Sequence, residues 1–242
     1  MQIAFLVGGL GTRLGDLTAR TPKPLLPVGE TPFIEILMSW AATAGMTDIL
    51  LLAGHMGDQL SARYDGARMG DATIRVAIEN QPAGTGGALL AAEDLLTEHF
   101  VLANGDSLFH VDLAAFVAPP LNNNLLGRLA LRRLEDTGRS GVVDLQGERI
   151  TGFRHRGLPG EPGLINGGLY LLRKELLQPI RGDFGLPCSL EQDLFPVLAR
   201  DRFLSGRLLD GFFLDIGIPE DYARAQTSLP AQSTLHLRKA QC

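Results

Sequence analysis

Near its start the chain carries Gly8-Gly9-Leu10-Gly11-Thr12-Arg13-Leu14, and soon afterwards Lys23 between Pro22 and Pro24. Glycines let backbone approach a ligand closely and aim its N–H groups at phosphate oxygens without help from a side chain. Arg13 adds a planar fork of donors and Lys23 a compact positive charge, so the pattern points to phosphate handling at Gly8, Gly9, Gly11 and Thr12, with Val7 leading into the loop. A dinucleotide fingerprint beginning at Gly9 would need glycine where Leu14 stands, and a P-loop needs Gly-Lys-Ser/Thr, whereas none of the lysines here follows a glycine. A glycine turn with only a structural duty would leave Arg13 and the proline-bracketed Lys23 unexplained.

Two acidic residues form the second group. Asp106 and Asp215 each follow an apolar run, residues 100–103 and Phe212-Phe213-Leu214. In an open parallel sheet ligands gather at the carboxyl ends of strands. Paired carboxylates facing a triphosphate suit Mg²⁺, which takes oxygen ligands and keeps some of its waters. The competing reading is that each aspartate caps the turn that follows; Asp112 fits that duty better, as a helix N-cap. Gly84-Thr85-Gly86-Gly87 opens a helical stretch, so the amides around Gly86 could meet a nucleotide or shape a flat pocket for its base, or simply cap the helix. The five histidines are scattered, and no spacing suggests a nucleophilic triad or a histidine metal site.

The elements that must position these residues alternate. Residues 3–7, 49–53, 74–79 and 100–103 read as strands, with helices over residues 32–44, 58–64 and 86–96 between them. Further strands are expected at residues 125–134, 141–145, 152–156, 168–172 and 212–215, with a short helix at residues 194–200 and a last one from Pro219 to about residue 226. This is an α/β pattern with a mixed, mostly parallel central sheet covered by helices. With 242 residues, no composition break and no internal repeat, one domain over residues 1–227 is expected, a nucleotide-binding part to about residue 110 and a second part beyond it. Residues 228–242 read as a loose tail. The 22 basic and 27 acidic residues give a net charge of −5, which argues against a nucleic-acid or anionic-membrane surface. No apolar run approaches the roughly 18 residues of a membrane span, and the N-terminus enters a strand rather than a signal peptide, so a cytoplasmic location is expected. Cys188 and Cys242 lack metal spacing and are expected to be reduced, Cys188 in the core.

Several separated motifs in one order carry a family resemblance. Gly8-Gly9-x-Gly11-Thr12-Arg13-Leu14 with Pro22-Lys23-Pro24, Pro82-Ala83-Gly84-Thr85-Gly86-Gly87-Ala88, Asn104-Gly105-Asp106, Asn166-Gly167-Gly168-x-Tyr170 and Leu214-Asp215-Ile216-Gly217-x-Pro219-Glu220-Asp221 resemble the sugar-1-phosphate nucleotidyltransferases. The resemblance runs to about Tyr222. It implies a Rossmann-like three-layer α/β/α fold and transfer of a nucleoside monophosphate from a triphosphate to a sugar 1-phosphate with release of pyrophosphate. It also implies Arg13, Lys23, Asp106 and Asp215 as the catalytic set, with Mg²⁺ on the two aspartates. By the same resemblance Gln81 is expected beside the base, and Asn166, Gly167 and Glu191 beside the sugar. Glu191 also reads as a capping-box glutamate.

Two departures from the family pattern stand out. Gly29-Glu30-Thr31-Pro32 lacks the usual cation, and Gly152-Phe153-Arg154-His155-Arg156 has Arg156 where many members have a lysine near the sugar phosphate. Within the family, the glycine run, the Gly84 loop and the short C-terminus are most similar to members that guanylylate a heptose 1-phosphate, which favours GTP and a heptose or mannose type sugar. Uridylyl transfer to a muramic or hexose 1-phosphate and thymidylyl transfer to glucose 1-phosphate are the alternatives of the same class. A non-catalytic nucleotide-sugar-binding regulator is the alternative of another, disfavoured because all four charged residues are present. Dimers and tetramers are common in the family, so a homo-oligomer is open.

Overall fold

The computed structural model describes residues 1–229 and the pair Leu237–Arg238. In chain order the first stretch holds β1 (Gln2–Leu6), the tight hairpin β2 (Pro27–Val28) and β3 (Thr31–Pro32), α1 (Phe33–Thr43), β4 (Asp48–Ala53), α2 (Gly57–Tyr64), β5 (Arg68–Met69) and β6 (Ala72–Ile78). Then come α3 (Gly84–Ala91), β7 (His99–Asn104), β8 (Ser107–His110), α4 (Leu113–Val117), β9 (Gly127–Leu134), β10 (Val142–Gln146), β11 (Arg149–Arg154) and β12 (Gly163–Arg173). The remainder is α5 (Leu177–Pro179), α6 (Phe195–Arg200), β13 (Leu204–Leu208), β14 (Phe212–Asp215), α7 (Pro219–Ser228) and β15 (Leu237–Arg238). The α/β class is the one expected. The chain forms two compact units, one of Met1–Pro82, Ala103–Leu113 and the segment from Phe212 onward, the other of Ala83–Leu102 and Ala114–Gly211. Each unit is interleaved in sequence, so a division near residue 110 is crossed by both.

In the first unit β1 pairs in parallel with β4, and β4 with β6, while β5 turns back antiparallel on β6. The central strand β4 is apolar without alternation because both its faces are covered, with Ile49 to Ala53 at most 2% exposed. Helix α1 buries Phe33, Ile34, Leu37, Met38 and Ala41 at helical spacing. Its Glu35 accepts from Tyr64 Oη and Arg63 Nη2 of α2, which ties the two helices together.

In the second unit β9 pairs antiparallel with β12 and in parallel with β13, and β10 and β11 form an antiparallel hairpin. Two arginines donate to backbone carbonyls in and just beyond α4: Arg128 Nη1 to Phe116 O and Pro119 O, and Arg207 Nη1 to Ala115 O. Arg128 is 7% exposed, and its burial lowers the guanidinium pKa.

Several boundaries differ from the sequence reading. The helix expected over residues 86–96 stops at Ala91, and a separate turn at Glu93–Leu95 follows. Arg156 lies beyond the end of β11 rather than in it, and the strand expected at residues 168–172 is the second half of the longer β12. Asp215 ends β14, which belongs to a two-stranded antiparallel ribbon with β8 rather than to the parallel array. The apolar run at residues 212–214 carries no mark of whether its partner is parallel. The tail reading falls almost wholly outside the described residues; Leu237–Arg238 pairs with Arg68–Met69. No helix among the described residues is long and apolar enough to cross a membrane.

Candidate active site

The charged cluster belongs to the first unit and is assembled by the β8–β14 ribbon. Asp106 immediately precedes β8, and the register sets Ser107 opposite Asp215. Ile216 N donates to Asp106 O at 2.9 Å, locking the two aspartate-bearing turns side by side. Lys23 opens a one-turn 3-10 helix, in which Pro24 fixes its own φ and extended Pro22 precedes the first residue. Its Nζ donates to Asp106 Oδ2 at 2.7 Å, with the lysine side chain 8% exposed and that of Asp106 37%. An ammonium so far out of water requires such a partner.

Asp215 has a different environment. Its Oδ1 accepts the N–H of Gly217. Burial pushes its carboxyl above the ordinary carboxylate range, and the charge of Asp106 pushes it further, against the Gly217 N–H and Lys23. A Cβ built on Gly217 would lie 2.6 Å from Asp215 Oδ1, 3.3 Å from Arg13 Nη2 and 3.4 Å from Lys23 Nζ. All three charged side chains therefore converge on one glycine, whose missing side chain keeps that space open. The sequence reading placed Gly217 in a motif but gave it no role; a glycine two residues after an acidic strand end is the trace it leaves.

The glycine loop is built around the same cluster. Gly11 has φ +65°, and Thr18 Oγ1 donates to the carbonyls of Gly11 and Gly15, each at 3.1 Å, which folds residues 11–18 into a tight turn. A Cβ on Gly11 would meet Thr18 Cγ2 at 2.9 Å and Lys23 Cβ at 3.4 Å. Gly8 passes close to the backbone of Gly54, and Val7 N donates to Leu52 O at 2.9 Å. Gly9, Thr12 and Arg13 are exposed. Gly105 brings the chain against β1: a Cβ there would lie 2.5 Å from Leu6 O and from Val7 Cγ1. Gln81 is exposed in the segment after β6, and Glu30 is exposed at the tip of the β2–β3 hairpin.

The second unit holds the residues assigned to the sugar. Asn166 Nδ2 donates to Glu191 Oε1 at 2.9 Å and to Tyr170 Oη at 2.8 Å, and Tyr170 Oη donates to Glu191 Oε1 at 2.6 Å. Glu191 is not the capping-box acid of its helix start. Ser189 Oγ accepts from Gln192 N, and Asp193 accepts from Ser189 N at 2.7 Å, so Asp193 takes that duty and Glu191 is released for Asn166 and Tyr170. Gly167 is buried beside Asn166, while Arg156 and His155 are exposed on the loop beyond β11.

Gly86 departs from expectation. Its N–H donates to Cys188 O at 2.8 Å, and a Cβ on Gly84 would lie 2.4 Å from that same oxygen. The Gly86 amide is thus committed to a backbone crossing rather than offered to a nucleotide, and the glycines of this loop serve close packing. Tyr170 was named in a motif without a role, because a tyrosine in an apolar strand looks like core.

Two carboxylates of unlike surroundings, one paired with a lysine, do not cage an ion, and among the described residues no group of three or more His, Cys, Asp or Glu could hold a metal. The donor set does fit Mg²⁺ in the form it takes with nucleotides, bound through one or two carboxylates with water and phosphate oxygens completing the octahedron.

The family described as nucleotidyl transferase matches residues 4–232. The chain is 33% identical over 230 residues to a D-glycero-alpha-D-manno-heptose 1-phosphate guanylyltransferase of Aneurinibacillus thermoaerophilus, covering 95% of this chain and 98% of that protein. It is 31% identical to a mannose-1-phosphate guanyltransferase of Schizosaccharomyces pombe, over 92% of this chain and 62% of the relative. The crystal structure of HddC from Yersinia pseudotuberculosis superposes with a TM-score of 0.78 at 28% identity, covering 93% and 97% of the two chains. A second structure of HddC, in complex with GMP-PN, superposes with a TM-score of 0.76.

Proposed function

We infer the activity of this chain from a settled premise: it belongs to the nucleotidyl transferase family. Its reaction is transfer of a guanylyl group from GTP to a sugar 1-phosphate of the heptose or mannose type, giving a GDP-sugar and pyrophosphate. The observation that carries this reading is the convergence of Arg13, Lys23 and Asp215 on Gly217 with Asp106 held by Lys23, a cluster suited to a polyphosphate and a divalent ion. The choice of guanine is supported by the guanylyltransferase relatives and by the GMP-PN complex of HddC. The choice of sugar is supported by the heptose and mannose relatives. A cytoplasmic setting, where nucleoside triphosphates are held, goes with this reading.

Asp106 and Asp215 are the residues that would hold Mg²⁺, which when bound neutralises triphosphate charge and fixes the α-phosphate for attack. Arg13 offers its guanidinium to the phosphates, and Lys23, drawn toward the incoming triphosphate, neutralises charge as it develops on the leaving pyrophosphate. A sugar 1-phosphate oxygen forms the new bond to the α-phosphorus while the bond to the bridging oxygen of the β-phosphate breaks. The attacking sugar 1-phosphate oxygen is already ionised at neutral pH, so no enzyme base or nucleophile is needed, and positioning with charge neutralisation supplies the catalysis. Gln81, with amide donors and an acceptor, is the reader proposed for the base. Asn166 and Glu191 serve the sugar hydroxyls, with Arg156 offered to its phosphate.

Pyrophosphate release measured with GTP, ATP, UTP, CTP and dTTP against heptose, mannose, glucose and muramic 1-phosphates tests this directly. The expected result is turnover with GTP and a heptose or mannose 1-phosphate that depends on Mg²⁺. Preference for UTP or dTTP, or turnover unaffected by a chelator, would overturn the corresponding part.

A further inference from the structure

We propose that Tyr170 is a positioning residue: its buried hydroxyl, braced by Asn166, fixes Glu191 so that one carboxylate oxygen alone meets a hydroxyl of the sugar phosphate. The proposal rests on the sugar-binding assignment of Glu191 made above and narrows it, because it makes Asn166 a brace rather than a reader.

The backbone is irregular where the three residues meet. Along β12, Asn166 pairs with Leu131 of β9 and Tyr170 with Leu129, so four steps on one strand answer two on the other, and Gly168 within the bulge has φ +70°. In a regular strand, side chains four residues apart lie roughly 13 Å from each other. Here Asn166 Nδ2 and Tyr170 Oη are 2.8 Å apart. Bulges of this kind re-aim side chains beside functional sites.

The bonds then fix who can meet a ligand. Tyr170 is 1% exposed, its ring lies against Phe195 with centroids 5.3 Å apart, and its hydroxyl gives its one proton to Glu191 Oε1 at 2.6 Å. Asn166 commits its amide nitrogen to Tyr170 and Glu191, and its Oδ1 accepts from Gly168 N at 2.9 Å. Glu191 Oε1 therefore receives two bonds, and among the described residues none reaches Oε2, on a side chain that is otherwise exposed. A long flexible carboxylate is thereby held in one rotamer, which removes the ordering cost of capturing a ligand. Of what a sugar phosphate offers, a carboxylate oxygen that accepts takes a hydroxyl, and a second carboxylate or a phosphate at that place finds no donor there.

Tyr170→Phe tests this, since it removes one oxygen and keeps the ring on Phe195. The expected result is a KM for the sugar 1-phosphate raised about tenfold, as for loss of one charge-assisted hydrogen bond. The KM for the nucleotide and kcat stay within about twofold. In a Glu191→Ala background, Tyr170→Phe is expected to change nothing further, and Asn166→Ala is expected to follow the same pattern should the tyrosine variant fail to fold. A sugar-phosphate KM unchanged in Tyr170→Phe, or an equal effect with and without Glu191, would overturn the positioning role while leaving the subsite. A sugar-phosphate KM unchanged in Glu191→Ala alone would instead overturn the sugar assignment itself.

Discussion

At Lys23 a buried ammonium holds one carboxylate at 2.7 Å while a second, Asp215, is pushed above its ordinary range by burial and then by Asp106. Proposed to serve the reaction, that arrangement comes at the expense of the fold. A carboxyl whose folded-state pKa is raised is favoured as the neutral acid, so the fold gains from it at acid pH and loses that gain as pH rises through the raised value. At pH 7 Asp215 is therefore a net cost to the fold. Asp215→Asn keeps an oxygen for the Gly217 N–H and should raise the thermal midpoint by a few degrees at pH 7 while abolishing turnover. The gain should vanish below about pH 4, where the unfolded carboxyl is also protonated. A midpoint at pH 7 equal to or below that of the parent would show that Lys23 fully offsets the charge. The lysine itself is judged by rate: Lys23→Met retains the packing of the stem, and kcat/KM measured by pyrophosphate release should fall by about 10²–10³, the usual loss for one preorganised cation. Undiminished kcat/KM would remove Lys23 from the reaction.

At the scale of elements, glycines separate what the fold needs from what a ligand needs. A Cβ on Gly105 would meet Leu6 O and Val7 Cγ1 at 2.5 Å, and a backbone oxygen on a packed strand has little room to give. Gly105→Ala should therefore cost about 1–3 kcal/mol, read as a lower denaturant midpoint, and displace Asp106 with it. Nothing lies within 4 Å of a Cβ on Gly9. Gly9→Ala should leave the denaturant midpoint unchanged, and activity lost on that substitution would report on close approach by the nucleotide. Such distinctions were invisible in the sequence, where Gly8, Gly9, Gly11 and Gly105 look alike. The strands β1, β4 and β7 were legible because burial on both faces writes them as continuous apolar runs. The partner of β14 was not, because Ser107-Leu108-Phe109-His110 is too short and too mixed to stand out, although it is the strand that sets Asp215 beside Asp106. The strand β13, Leu204-Ser205-Gly206-Arg207-Leu208, was missed for the same reason.

Across the whole chain the assigned chemistry is divided. Arg13, Lys23, Asp106, Asp215 and Gln81 belong to the first unit, while Asn166, Tyr170, Glu191 and Arg156 belong to the second. The motifs themselves were legible in order because each combines residue types that rarely occur together by chance, such as a glycine run with an arginine, or an acid at the end of an apolar run with a glycine two residues on. What could not be read was the state of each side chain: that the Gly86 amide is committed to Cys188 and that Asp193, not Glu191, caps its helix. The division has a measurable consequence for nucleotide choice. A ligand held at 100 times its dissociation constant stabilises the folded state by about 2.7 kcal/mol, which for a chain of this size corresponds to roughly 5–10 °C in thermal midpoint. GTP with Mg²⁺ should give a shift of that order without any sugar phosphate, whereas UTP and dTTP at equal concentration should give a smaller one. Gln81→Ala should narrow that difference between nucleotides, because the exposed amide is the group proposed to read the base, while Glu191→Ala should leave the GTP shift intact. Equal shifts for all the nucleotides in the parent protein would mean that base choice is not made in binding, and Gln81 would lose its part.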